Sequence, residues 1–553
     1  MHWREWLDRN VFDLGRQMRL SYLPPLMVYM AAGISGLTGI VGTFFVKEYL
    51  GLSAEFLASL SFWMMLPWTL KMPLGHLVDL IWRHKSGLIM LGAGLIAASL
   101  LIMIGLLANP EAMRELLPIE TWYVLSSLLA PIGYVLQDTV ADAMTVEAVP
   151  RVDENGRPVG EEQLRLAHTT MQTLGRVAII GGSVLVAAVN VYLFSGVEKL
   201  AEPEKAAVYL QIYRLALIIP AVSVLGVALA AVLRWRDAQR LAAQGFEMDQ
   251  IERFLGRSMD ELPSPNWWIL GGSLAFVLFS ASMGLAAVPM NEEIVFAGSL
   301  AIVVFLMWQL TKDLPDRARR ELYATAIVIF AFRAIPTTGA GSTWWMIDEL
   351  GFDQQFLSEL SLIASILTLA GMFIFRRFMA ERSITYIIAV LTIAGAVLFL
   401  PNIAMFYGFH HWTAAHTGGV VDARFIALID TALESPLGQI AMIPMLAWIA
   451  NSAPERLKAT YFAVMAAFTN LALSLSQLGT KYLNQVFTVT REVIDPSTGA
   501  VQVPADYTQL GALFITVTIV GLAMPMGAIL FVKRTLLAGP KLESATAAEF
   551  ERN

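Results

Sequence analysis

Apolar residues run in long blocks along this chain, and polar residues gather between the blocks. The first six blocks fall near 23–47, 55–78, 87–107, 121–147, 164–194 and 208–233. A polar stretch rich in Arg and Glu follows over 234–265. Two more blocks, near 267–288 and 293–311, are parted only by the turn at Pro289-Met290-Asn291. Six further blocks cover 321–346, 355–376, 383–402, 421–450, 457–486 and 508–533. Each is long enough to cross a hydrocarbon core of about 30 Å as a helix rising about 1.5 Å per residue. The pattern predicts an all-α polytopic membrane protein with about 14 transmembrane helices. It divides into an N-terminal segment 1–21, a six-helix bundle 22–235, a linker 236–266, an inserted transmembrane hairpin 267–312, a second six-helix bundle 313–535 and a tail 536–553.

Composition agrees. Of 553 residues, 56% are hydrophobic and 15% charged, against about 25% charged in soluble chains. The net charge of −7 matters less than where the charges lie. With both termini placed in the cytoplasm, only Lys47, Arg114, Lys199, Lys205 and Arg491, of 38 Lys and Arg, fall on the outer loops. That asymmetry is the positive-inside pattern, and dropping one span would invert everything after it. The hairpin adds two spans and so preserves orientation. Residues 1–21 interleave Arg4, Arg9, Arg16 and Arg19 with acids and tryptophans, which reads as a cytoplasmic lead-in and not a signal peptide. The expected place is the cell (inner) membrane, with both termini inside.

Several chemistries are excluded. There is no cysteine, hence no disulfide, thiolate metal site or cysteine nucleophile. His410, His411 and His416 cluster without an acid at ligand spacing and read as a solvated loop. No GxxxxGK[ST] loop points to ATP, and nothing points to a cofactor, a metal or nucleic acid. No nucleophile and base stand in a pattern that suggests an enzyme.

The remaining candidates are ionisable residues inside spans, which are functional candidates by default. Asp138 and Asp142 lie four residues apart in the fourth span, on one stripe of a helix. A carboxylate in such a span costs roughly 2.5–3.5 kcal/mol, so the stripe faces protein or water. Glu147, about 140° further round, belongs to the cytoplasmic end. In the fifth span His168, Gln172 and Arg176 repeat at the same spacing. Arg176 could meet Asp138, and His168 or Gln172 could meet Asp142. Lys71 lies at similar depth in the second span and also needs an acidic partner. In the second half, Arg333 precedes Pro336, which frees a backbone carbonyl beside a cavity. Asp430 and Glu434 repeat the acidic stripe. Asp79 and Arg83 read as a conformational latch at helix ends. Trp63, Trp68, Trp344 and Trp345 read first as interface anchors, second as cavity lining.

Six spans, a linker, a hairpin and six spans suggest a parallel repeat of the major facilitator type. Asp138-Thr139 with Asp142-Ala143 has an echo in Asp430-Thr431 with Glu434-Ser435, each in the fourth span of its half. Gly75, Leu77, Asp79, Arg83 and Lys85 resemble the loop motif between the second and third spans of major facilitators, with Trp82 where a glycine is usual. More specifically, the chain resembles the folate-biopterin transporter family. The carrying segments are Pro67-Trp68 with Lys71, Pro73 and Gly75, then Asp138 to Glu147, and Pro336 followed by Glu349-Leu350-Gly351-Phe352 and Phe356-Leu357. Asp430 with Gly438-Gln439 and Pro444, and Ala459-Thr460-Tyr461 with Asn470, complete them. The carboxylate stripe also resembles that of muropeptide permeases.

The resemblance implies a secondary transporter, proton-coupled as a symporter, for a small organic anion of the folate or pterin type. Carboxylates can accept paired N–H bonds from an amino-pyrimidine edge, and arginines can grip a carboxylate with two parallel bonds. The alternatives are a muropeptide-type or other anion permease, or a non-transporting pigment-complex assembly factor of the same superfamily.

Overall fold

The computed structural model describes residues 13–149, 159–255, 265–286, 288–312, 314–445, 458–494 and 500–535. Expectations resting on 1–12, on 150–158 and 256–264, on 495–499 and on the tail 536–553 lie outside them. So do the side chains of His168, Ala459, Thr460 and Tyr461.

The described residues are almost entirely helical. The elements that matter are α1 (Leu23–Ile34), α2 (Gly39–Tyr49), α3 (Ala54–Met65), α4 (Lys71–Leu80), α5 (Ser86–Ala108), α6 (Ile119–Ala148) and α7 (Glu161–Leu193). They continue with α8 (Glu202–Ala216), α9 (Ile218–Ala243), the hairpin α10 (Trp267–Leu285) and α11 (Asn291–Thr311), α12 (Asp316–Arg333), α13 (Ala340–Asp348) and α14 (Gln354–Ile374). The last are α15 (Ile384–Leu398), α16 (Leu400–Phe406), α17 (Ala423–Glu434), α18 (Lys458–Val486) and α19 (Leu510–Arg534). A two-stranded antiparallel ribbon, β1 (Val493–Ile494) and β2 (Val501–Val503), lies between α18 and α19.

Eleven helical stretches are long and apolar enough to cross a membrane. The other three predicted spans fail that test for visible reasons. The span at 55–78 breaks into α3, a 3-10 turn through Pro67, and α4. The span at 321–346 breaks between α12 and α13, around Pro336 and a left-handed Gly339. The third, α18, is continuous and carries Thr, Ser, Asn and Gln along its length, and its first turns are only partly described. Two expectations shift. His410, His411 and His416 sit on a short helix, Phe409–His416, and not in a loop. And α9 runs unbroken to Ala243, past the anticipated start of the linker.

Contacts divide the chain into two compact units. One comprises 1–50, 73–266 and 353–373; the other comprises 51–72, 267–352 and 374–553. In the first, α6 packs along α5, and α1 packs on α7 and α9. Glycines let these backbones touch. A Cβ on Gly33 would lie 2.1 Å from the Ile179 carbonyl oxygen, and one on Gly182 would lie 2.9 Å from Gly33 Cα. Small residues at a crossing are the ordinary way membrane helices approach closely. Around them Val28, Tyr29, Val78, Trp82, Ile89, Val140, Ala141 and Met144 form one apolar cluster. In the second unit Phe62 and Leu66 pack with Phe276, Val295, Leu471 and Leu478, which seats the hairpin on α3 and α18. The hairpin turns at Met290, the one non-glycine residue with positive φ among those described. Glu292 then accepts hydrogen bonds from Ser59 and from Lys481, the latter at 2.6 Å, and Glu293 accepts from Lys481 at 3.3 Å and from Tyr482.

Candidate functional site

In the C-terminal half of α6 nearly every position is buried, including Val135, Leu136, Gln137, Thr139, Val140 and Ala141. The less buried positions include Tyr134, Asp138 and Asp142, at i, i+4 and i+8. One narrow stripe of a covered helix is thus left open, and it carries both carboxylates. Asp142 Oδ1 accepts a hydrogen bond from Tyr29 Oη at 2.5 Å. Tyr29 comes from α1, where it is buried in the apolar cluster. Its ring is pressed against α7 so closely that a Cβ on Gly175 would meet it at 2.9 Å. Asp138 and Arg176 lie close enough to act on Tyr29 electrostatically. The structure therefore gathers Asp138, Asp142 and Arg176 about a tyrosine that sequence reasoning passed over. Its signal was absent, because a lone Tyr in an apolar run looks like core.

Gln172, one turn before Arg176, is exposed and donates to Thr145 Oγ1 at 3.4 Å; Thr145 Oγ1 donates to the Asp142 carbonyl at 2.6 Å. His168 lies one turn earlier on α7. At the C-terminal end of α6, Glu147 meets Lys85 at 2.6 Å and Arg234 at 2.9 Å. Lys85 also lies 4.0 Å over the Trp82 ring and donates to the Trp82 carbonyl at 3.2 Å. Trp82, in the usual glycine position, is buried and serves as a platform for that lysine. Of the expected latch, Asp79 is half-buried in the last turn of α4 and Arg83 is exposed. Lys71 is the half-buried first residue of α4 and belongs with the second unit.

The second unit builds its own site around a helix break. Arg333 is the last residue of α12, and the chain runs non-helically through Pro336 to Gly339. A break inside a membrane leaves backbone groups that need partners. Here α18 supplies them. Ser476 Oγ donates to the Ile335 carbonyl at 2.6 Å, Thr480 Oγ1 accepts from Thr337 N at 2.9 Å, and Asn484 Nδ2 donates to the Thr338 carbonyl at 3.5 Å. These polar residues of α18 are thus the counterpart of the broken helix beside it.

The break holds Arg333 in place. Its Nε donates to the Thr469 carbonyl at 2.9 Å, and its Nη2 to Asn470 Oδ1 at 3.3 Å. Its Nη1 points at the thioethers of Met442 and Met445, at 3.5 and 3.8 Å. Asn470 is itself fixed by donating to the Trp68 carbonyl at 3.3 Å. All these acceptors are neutral. Among the described residues no carboxylate pairs with Arg333. A half-buried guanidinium so held keeps its full charge and can attract an anion.

On α17, Ala423, Ala427 and Asp430 form the buried face, and Phe425, Ile429 and Leu433 the exposed one. Glu434, at helical spacing from Asp430, lies on the buried stripe yet is exposed. Asp430 is 9% exposed; its Oδ2 accepts from Asn402 Nδ2 at 2.8 Å, and its Oδ1 has no partner among the described residues. Trp344 and Trp345 are buried, not at a lipid interface as first read.

Comparison with known proteins bears on what such sites serve. Residues 274–535 match the BT1 family. A folate-biopterin transporter of Synechocystis sp. is 23% identical over 467 residues, covering 84% of this chain and 74% of that protein. Among solved structures, a POT family transporter in complex with a thioalcohol-conjugated peptide superposes with a TM-score of 0.57 at 12% identity, over 94% of this chain and 96% of that one. The nucleoside transporter NupG gives 0.52 at 11% identity, over 93% and 99%. The fold is the major-facilitator-like fold of transporters.

Proposed function

We propose that this chain, whose residues 274–535 match the BT1 family and which is similar to a folate-biopterin transporter, is a secondary active, proton-coupled carrier of a small organic anion of the folate or pterin type. The observation that carries this reading is Arg333, a guanidinium held by a carbonyl, an amide and two thioethers, with no carboxylate paired to it among the described residues. An anionic cargo completes such a site, since a carboxylate meets a guanidinium with two parallel charge-assisted bonds. Asp430 and Glu434, on α17 of the same unit, suit the donor edge of an amino-pyrimidine or a transported proton. In the first unit Asp138, Asp142 and Arg176, with Gln172 and His168 on the same helix face, form the proton-handling group, and Lys71 is a further cation for the cargo. Asp79 and Arg83 act as the latch.

The test is uptake of radiolabelled folate into proteoliposomes with and without an inward proton gradient. We expect accumulation that depends on the gradient and is lost in Arg333→Gln, with the variant still folded. Accumulation indifferent to the gradient would remove the proton. Normal uptake by Arg333→Gln would remove the anion site.

A further inference from the structure

A second guanidinium that no carboxylate meets among the described residues, that of Arg491, lies far along the chain from Arg333. Arg491 belongs to the segment that follows α18, on the side that the Lys/Arg bias assigns to the exterior. This segment folds back as a ribbon. Thr490 and Asp506 exchange backbone hydrogen bonds, and Val493 pairs with Val503. It is docked tightly, for a Cβ on Gly341 of α13 would lie 2.8 Å from Val489 Cγ1. Arg491 is carried down with it until only 4% of the residue is exposed. Its guanidinium lies over the Trp344 ring, 5.4 Å from the centroid, and Trp344 is 2% exposed.

The Nε and Nη2 hydrogens of Arg491 are buried and have no partner among the described residues. These two donors share one edge of the guanidinium, the edge that fits both oxygens of a carboxylate side-on. Asp348 is near enough to act on Arg491, but its Oδ2 already accepts from Tyr507 Oη at 2.5 Å. A buried charge left without a hydrogen-bonded partner is expensive. The cation–π contact offsets part of that and fixes the plane of the fork.

We propose that the Nε/Nη2 edge of Arg491 is a docking site for the carboxylate of an organic anion arriving from outside, met before the Arg333 site. The proposal rests on the anion reading of the function and names a second point of contact for the same cargo. The edge is covered in this conformation, so a carboxylate reaches it when the Arg491 side chain swings off Trp344.

The experiment uses the full chain purified in detergent, with sodium benzoate as probe and sodium chloride at equal ionic strength as control. We expect benzoate to raise the midpoint of thermal unfolding of the parent protein. Arg491→Gln should lose at least half of that rise. Arg491→Lys, which keeps the charge but not the fork, should show a reduced rise at near-parental basal stability, and so serves if the glutamine variant fails to fold. Arg333→Gln should retain the part that belongs to Arg491. If Arg491 only braces Trp344, its variants would lower basal stability and leave the benzoate response at the parental size; that outcome overturns the proposal. If the chain carries no organic anion, folate uptake fails while a benzoate response sensitive to Arg491→Gln persists, which separates the two failures.

Discussion

Tyr29 shows how a single side chain sets a functional group. Its hydroxyl is the donor that fixes Asp142, and hydrogen bonds to charged groups contribute about 1.5–3 kcal/mol. Tyr29→Phe keeps the ring that packs on Gly175 and removes only that donor. We expect the variant to express and fold as the parent does but to transport about tenfold less or lower, one factor of ten per 1.4 kcal/mol. Parental uptake would make Tyr29 a packing residue alone. Sequence showed the acids and missed the tyrosine, because charge in a span announces itself whereas an aromatic in a span does not. Arg491 was visible too, but only as one of five outer cations. Nothing in its neighbours reveals that a ribbon turns it inward onto Trp344.

Among elements, the pairing of α18 with the broken α12–α13 span carries the most information. Pro336 foretold the break, and the length of the apolar block foretold the span. The partners of the freed backbone groups were not legible. Ser476, Thr480 and Asn484 lie four residues apart on α18 and look like the small polar residues common in membrane helices. Only the fold shows that they face Ile335, Thr337 and Thr338. Thr480 is fully buried, so Thr480→Val leaves the Thr337 N–H without an acceptor. That should cost about 1–3 kcal/mol, read as a lower thermal midpoint, while Thr480→Ser should behave as the parent does. A valine variant of parental stability would mean that the break is held by other contacts.

For the whole molecule, the apolar blocks made the architecture legible and the Lys/Arg bias gave it a direction. The direction makes a prediction: a cysteine at Ser497, in an otherwise cysteine-free chain, should react with an impermeant maleimide added outside intact cells. Reaction only after the membrane is opened would reverse the orientation. The contact pattern was less legible, since apolar blocks do not say which helices touch. The glycine crossing of α1 and α7 is the clearest case, and it bears on how the protein is made. Gly33 and Gly182 are about 150 residues apart, and at roughly 5–20 residues per second the ribosome needs on the order of 10–30 seconds to synthesise the interval. During that time α1 stands in the bilayer with its glycine face against lipid, where small side chains bury little. Biogenesis thus has a waiting stage, and its length is set by translation and not by the helices themselves.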